Sequence, residues 1–230
     1  IISFLFDIYK YKLNIMKFTS TLIKGKLIKR YKRFFADIKV NNTTVTAHCP
    51  NTGSMLGLLD KDNNVFLSRS DDPKRKLKFT LEMIEVNKKL IGVNTHRANR
   101  IVEHGLKNKL IKEFNKIKSI KSEFKFSNDT RFDFLCDQNI IEVKNVTLNR
   151  KNDLAEFPDA VTTRGSKHLI NLSKSIKKKF KPYVLFLTQI EGINNFRIAK
   201  DIDKEYYQNY LKAKKSGVKF LAYRCKLNSK

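Results

Sequence analysis

Arg131-Phe-Asp-Phe-Leu-Cys-Asp-Gln-Asn-Ile-Ile-Glu-Val-Lys144 reads as a β-hairpin with two carboxylates and a lysine on one face. Val, Ile and Phe dominate both arms, and Asp137-Gln138 forms a two-residue turn between them. Closed there, Cys136 faces Asn139, Asp133 falls opposite Glu142, and Arg131 opposite Lys144. Directly opposed residues share a face, with Cβ atoms about 4.5–5.5 Å apart. Phe132, Phe134, Ile141 and Val143 then point the other way, toward a core. Opposed carboxylates repel, a cost that a purely structural hairpin avoids. A divalent cation between Asp133 and Glu142 would turn that cost into a binding site. Lys144, about 6–7 Å along the strand from Glu142, is placed to hold a water or a phosphoryl oxygen.

Asp followed by Glu-x-Lys on the next strand is the active-site pattern of the PD-(D/E)xK nuclease superfamily. Alone it says little, because Glu-x-Lys also occurs as a solvated cross-strand ion pair. Its neighbours add weight. Glu123, in Lys121-Ser-Glu-Phe-Lys125, lies on a preceding strand and offers a third carboxylate, its facing set by the turn at 127–130. After the hairpin, residues 159–181 form a basic helix carrying Arg164, Lys167 and His168.

The whole chain suits a polyanion. Its 48 Lys and Arg against 22 Asp and Glu give a formal net charge of +26, spread along the sequence. That balance favours nucleic acid first and an anionic membrane surface second. An AT-rich genome explains part of the lysine excess, but not the scarcity of acids. Cys49, Cys136 and Cys225 are far apart and odd in number, which argues against a disulfide framework or a zinc site and fits a reducing cytosol. The histidines show no metal-ligand spacing. Residues 1–15 read as an upstream extension ahead of Met16, too short and too charged to span a bilayer. The expectation is a soluble, cytoplasmic protein with no membrane partner.

Residues 16–95 show short strands with turns between them. Phe35–Val40 and Thr43–His48 flank Asn41-Asn42, and further strands follow at 65–68, 77–86 and 90–93. Such a series predicts a small closed barrel, an OB-fold being the simplest. Residues 96–230 change to a helix with Thr95 as its cap, then a three-strand meander, helix, strand, helix and strand. This predicts an α/β sandwich on a central mixed sheet. Gly-rich phosphate loops are missing, which argues against an NTPase or a dinucleotide enzyme.

On the barrel, Lys29, Tyr31 and Arg33 alternate and would share one outward face, cations for phosphates and Tyr31 for stacking a base. Equally, Tyr31, Phe34 and Phe35 could be core and the cations solvated. His48-Cys-Pro-Asn-Thr-Gly-Ser-Met55 forms a tight loop able to receive a phosphate, though most such turns bind nothing. The segment 156–168 leads from the Glu142 strand to the basic helix and could deliver Arg164 and Lys167 to a scissile phosphate.

Taken together, Arg30-Tyr-Lys-Arg-Phe, Ala36-Asp37, His48-Cys-Pro-Asn-Thr-Gly, Val93-Asn-Thr with Ala98-Asn-Arg100, Lys121-Ser-Glu123, Asp133-Phe, Ile141-Glu-Val-Lys-Asn-Val-Thr-Leu148, and Phe157-Pro-Asp-Ala-Val-Thr-Thr-Arg-Gly with Lys167-His-Leu169 resemble the sugar fermentation stimulation protein family (SfsA). The matches run from about Leu22 to the C-terminus. The resemblance implies an OB-like domain, a PD-(D/E)xK-like domain, DNA binding and a regulatory link to sugar metabolism. On the leading reading, Asp133 and Glu142, with Glu123, ligate Mg²⁺ or Mn²⁺, Lys144 orients the attacking water, and Arg164 or Lys167 steadies the phosphate. The rivals are a non-catalytic DNA-binding regulator on an inherited nuclease fold and, more weakly, an RNA-processing nuclease.

Overall fold

A computed structural model describes residues 5–7, 16–151 and 153–229. Edge strand β1 (Leu5–Asp7) is followed by β2 (Ile23–Tyr31), β3 (Phe35–Val40), β4 (Thr43–His48), β5 (Asn64–Arg69), β6 (Phe79–Val86) and β7 (Lys89–Gly92). β2, β3 and β4 form an antiparallel meander, β5 pairs with the other side of β2, and β6 with β5. β6 then meets β4 in parallel, Ala47 beside Phe79 and His48 beside Thr80, which closes a five-stranded barrel. Alternation drives the closure: Leu27, Ile38, Ala47, Val65 and Leu81 are fully buried while Lys24, Lys26 and Lys39 stay in water. At Gly25 a Cβ would sit 2.5 Å from Ile38 Cγ2 and 2.8 Å from Lys39 O, so a side chain there would force β2 and β3 apart.

α1 (Thr95–Lys107) starts at Asn94, whose side chain accepts from the N–H groups of His96 and Arg97. The cap is therefore Asn94 rather than the expected Thr95. Thr95 is already helical, and its hydroxyl donates to Pro50 O at 2.5 Å, tying the helix to the barrel. There follow β8 (Lys121–Ser127), β9 (Thr130–Cys136), β10 (Asn139–Val146), β11 (Leu148–Lys151), β12 (Leu154–Phe157), α2 (Thr163–Ser175), β13 (Lys181–Thr188), β14 (Asn195–Ile198), α3 (Lys204–Ser216) and β15 (Lys219–Arg224).

Among the described residues the second sheet has the order β1-β15-β13-β10-β9-β8. β8, β9 and β10 are the expected antiparallel meander; β10, β13, β15 and β1 run parallel, as strands joined through helices must. β13 is buried throughout residues 182–188, matching its apolar run. Helices α2 and α3 cover one face, with Leu169, Leu172 and Tyr206 against Ile140, Val184 and Phe186. α1 covers the other, with Ala98, Val102 and Leu106 against Phe134, Ile141 and Leu185. A small sheet of β11, β12 and β14 lies apart from the main one and was not anticipated. The long basic helix is also shorter than expected: α2 ends at Ser175 and passes through a 3₁₀ turn and a left-handed Lys179.

Barrel and sandwich share one apolar core that runs from Leu27 to Phe186. Gly92 N–H donates to Gln189 O at 2.8 Å and Leu90 N–H to Glu191 Oε2 at 2.9 Å across the junction. Within the segment read as an extension, Leu5–Asp7 pairs with β15; residues 1–4 and 8–15 lie outside the described residues. Among the described residues no helix is long and apolar enough to cross a membrane.

Candidate metal and nucleic-acid site

The β9–β10 pairing runs Cys136 to Asn139, Leu135 to Ile140 and Phe134 to Ile141. One step on, Asp133 would meet Glu142, but there the ladder stops. Asp133 Oδ2 itself accepts the Val143 N–H at 2.7 Å, and Oδ1 accepts from Asn99 Nδ2 of α1 at 2.7 Å. A side chain has taken the place of a backbone partner. The chain turns over at this point. Phe134, Ile141 and Val143 pack on the α1 side as one face, whereas Phe132 is buried on the α2 side, its ring 5.5 Å from Phe126 and 5.9 Å from His168. The expectation that all four share a face therefore fails at Phe132.

Glu142 points to the α2 side and is 4% exposed. Its Oε1 accepts from Lys144 Nζ at 2.6 Å and also contacts His168 Nδ1 of α2. Burial alone would raise its pKa, but Lys144 and His168 outweigh that and hold it below the ordinary glutamate value. Asp133 goes the other way. Burial, and then the charge of Glu142, push its carboxyl up to about 7, and the bonds from Val143 and Asn99 and the charge of Lys144 offset this only in part. One acid is a paired anion and the other is poised near neutrality, the split expected of two close carboxylates.

Glu123 does not join them. Its backbone is left-handed at φ +55°, and its exposed carboxylate turns to Arg131 Nη1, 3.9 Å away. Among the described residues no three His, Cys, Asp or Glu side chains converge on a metal position. The two-carboxylate donor set still fits Mg²⁺, which keeps several waters and takes one or two protein carboxylates plus substrate phosphate.

Beside this pair a groove of about 680 Å³ opens between the turn at 127–130 and the start of α2, lined among others by Lys125, Arg131, Arg164, Lys167 and His168. The structure thus brings Arg164 and Lys167 to the Glu142 side of the sheet, with Lys167 Nζ 2.7 Å from Asp129. α2 has no acid in its first turn, so its N-terminal N–H groups add to the positive field. His168 joins groove and Glu142, and sequence reasoning did not select it. The signal was its position four residues after Arg164, on one helix face. Asn99 was also missed, although Ala98-Asn-Arg100 had stood out as a motif.

On the barrel, Lys29 and Tyr31 do share a face: Lys29 Nζ lies 5.5 Å from the Tyr31 ring centroid, and the Tyr31 hydroxyl donates to Asp37 at 3.2 Å. Arg33 is instead at the tip of the β2–β3 turn, left-handed at φ +67° and exposed. Tyr31, Phe35 and Phe34 form a ladder of rings, and Phe34 at its end is 43% exposed. The loop after His48 is spent on the fold. Arg30 Nη2 holds Asn51 O and Gly53 O at 2.8 and 3.0 Å, and Asp159 accepts Met55 N–H at 2.9 Å. A Cβ at Gly53 would meet Asp159 Oδ2 at 2.7 Å, which explains the glycine. Burial pushes the Cys136 and Cys225 thiols up to about 12, so neither is a nucleophile.

Residues 28–93 match the SfsA N-terminal OB domain, and residues 96–230 match the sugar fermentation stimulation protein RE domain. The chain belongs to the sugar fermentation stimulation protein family. It is 66% identical over 219 residues to the sugar fermentation stimulation protein homolog of Pelagibacter ubique (strain HTCC1062), with 94% of each chain covered. The homolog of Alteromonas mediterranea is 45% identical over 222 residues, covering 91% of this chain and 93% of that one. SfsA of Pyrococcus furiosus, solved in complex with Ca²⁺, has the same fold at a TM-score of 0.83 and 20% identity, covering 91% of this chain and 90% of that one. OB barrel plus α/β sandwich is thus the family's architecture, and this chain has both parts.

Proposed function

We propose that this member of the sugar fermentation stimulation protein family is a cytoplasmic DNA-binding protein with a nuclease-type site, in which Asp133 and Glu142 hold Mg²⁺ or Mn²⁺. One observation carries the reading: Asp133, its carboxyl lifted to about 7 by burial and the charge of Glu142, stands one step past the paired β9–β10 register from Glu142, whose partner His168 lines a basic groove. A divalent cation relieves both the burial and the repulsion that hold Asp133 there. The Ca²⁺ bound by the Pyrococcus protein of the same fold supports a cation in this family. When bound, such an ion polarises a phosphoryl oxygen and lowers the pKa of a water.

The chain's own groups do the rest. Asn99 and the Val143 N–H fix the Asp133 carboxylate, and His168 fixes Glu142. Lys144, 2.6 Å from Glu142, orients the attacking water, while Arg164 and Lys167 hold the phosphate in the groove. A second reading, DNA binding without catalysis, draws on the same contacts: Lys144 already neutralises Glu142, and His168 is its second partner. Cleavage of DNA on addition of Mn²⁺, lost in Lys144→Ala, distinguishes the two.

The test of the shared part is salt. With a net charge of +26 and a cation-lined groove, the logarithm of DNA affinity should fall against the logarithm of salt with a slope of magnitude about 4 or more. A flat dependence in a filter-binding titration from low to physiological salt would remove nucleic acid as the partner.

A further inference from the structure

Five large apolar side chains are notably exposed among the described residues, and three of them, Phe34 (43%), Leu56 (50%) and Val161 (70%), sit on segments that hydrogen bonds tie together across the junction between barrel and sandwich. The linkage can be traced bond by bond. Arg30 Nη2 donates to Arg33 O at the hairpin tip, next to Phe34, and to Asn51 O and Gly53 O of the following loop. Three residues along that loop is Leu56, whose neighbours Ser54 and Met55 donate to Asp159 O at 2.5 Å and Asp159 Oδ2 at 2.9 Å. Val161 is two residues beyond Asp159, and Arg164 stands in the first turn of the helix that follows. The clasp fixes the backbone under all three side chains but covers none of them.

We infer that this strip binds an unpaired DNA strand, with bases against Phe34, Leu56 and Val161 and backbone phosphates on Arg33 and Arg164. The inference rests on the DNA-binding reading above and adds the form of the DNA. Isolated exposed apolar residues need no explanation, but three of them on segments clasped together, with exposed Arg33 and Arg164 close by in sequence, do. A duplex keeps its base faces stacked inside and offers an apolar strip nothing. An unpaired strand offers base faces and phosphates together, the combination that aromatic and basic surfaces take up. The β2–β3 turn is also one of the loops with which OB barrels grip oligonucleotides. The row ends at Arg164, which lines the groove beside Glu142, so the strand would run from the barrel toward the carboxylates.

The experiment compares fluorescence anisotropy of a 5′-labelled oligo-dT with that of a duplex of equal length, for wild type and Phe34→Ala/Leu56→Ser/Val161→Ser. The triple variant should lose tenfold or more in oligo-dT affinity, about 1.4 kcal/mol, and keep its duplex affinity within about twofold. All three side chains are exposed, so its melting temperature should match the wild type; Phe34→Ala alone, with a smaller loss on oligo-dT only, covers the case of a triple variant that folds poorly. Unchanged oligo-dT binding, or equal losses on both DNAs, overturns the strip while leaving DNA binding in place. A wild-type protein that binds neither DNA overturns the functional reading and the strip with it.

Discussion

Glu142→Gln is expected to unfold more easily than the wild type at pH 7, by about 3–5 kcal/mol. Gln keeps the shape and loses the charge, leaving the Lys144 ammonium, 15% exposed, without its counter-ion at 2.6 Å and His168 without its anchor. Read from the hairpin alone, two opposed acids would predict the reverse, since removing either charge relieves repulsion. The structure assigns the favourable partners to Glu142 and the repulsion to Asp133. Glu142 has a folded pKa below its unfolded value, so its stabilisation is present above that value and fades as pH falls through the folded one. Urea melts should therefore separate variant and wild type at pH 7 and converge in acid, once the pH has fallen below the folded value of Glu142. Coincident melts at pH 7 would mean that the Lys144–Glu142–His168 contacts stabilise nothing.

Asp133→Asn should act with the opposite sign. The folded carboxyl, at about 7, lies above its unfolded value of 3.8, so the folded state binds the proton more tightly. Stability from this group is complete below the unfolded value and is lost as pH rises through about 7. The rise from 3.8 to about 7 corresponds to at most roughly 4 kcal/mol. Asn is neutral at every pH and still accepts the Val143 N–H. The variant should match the wild type near pH 4 and exceed it at pH 8 by on the order of 2–4 kcal/mol. A variant that melts lower at pH 8 would show that Asp133 is stabilised as an anion.

What could be read from the sequence was local. The hairpin register came from period-two alternation and a two-residue turn, and the structure keeps it from Cys136 and Asn139 to Phe134 and Ile141. α3 carries residues of the kinds that mark helix ends: Asp203 caps it and Gly217 ends it at φ +105°. β11, β12 and β14 were missed because four residues are too few to establish a period. Glu123 was offered as a third acid because strand alternation assumes an extended backbone, and its left-handed φ of +55° breaks that assumption. The same limit hid the turning over at Phe132. Asn99 and His168 reach the carboxylates across 34 and 26 residues of chain, and the loop at Met55 finds Asp159 across 104. No periodicity reports such contacts; only closing the fold does.

The central claim is that Asp133 and Glu142 hold a divalent cation, and calorimetric titration of Mn²⁺ into the protein at pH 7 measures it most directly. Because burial and the charge of Glu142 lift the Asp133 carboxyl to about 7, it carries a proton in part of the molecules at that pH, and binding must displace it. The wild type should bind one ion per chain and release protons, seen as a dependence of the heat on the ionisation enthalpy of the buffer. Asp133→Asn should show neither the binding nor the release. Mn²⁺ heats that are absent in the wild type, or unchanged in Asp133→Asn, would contradict the metal site.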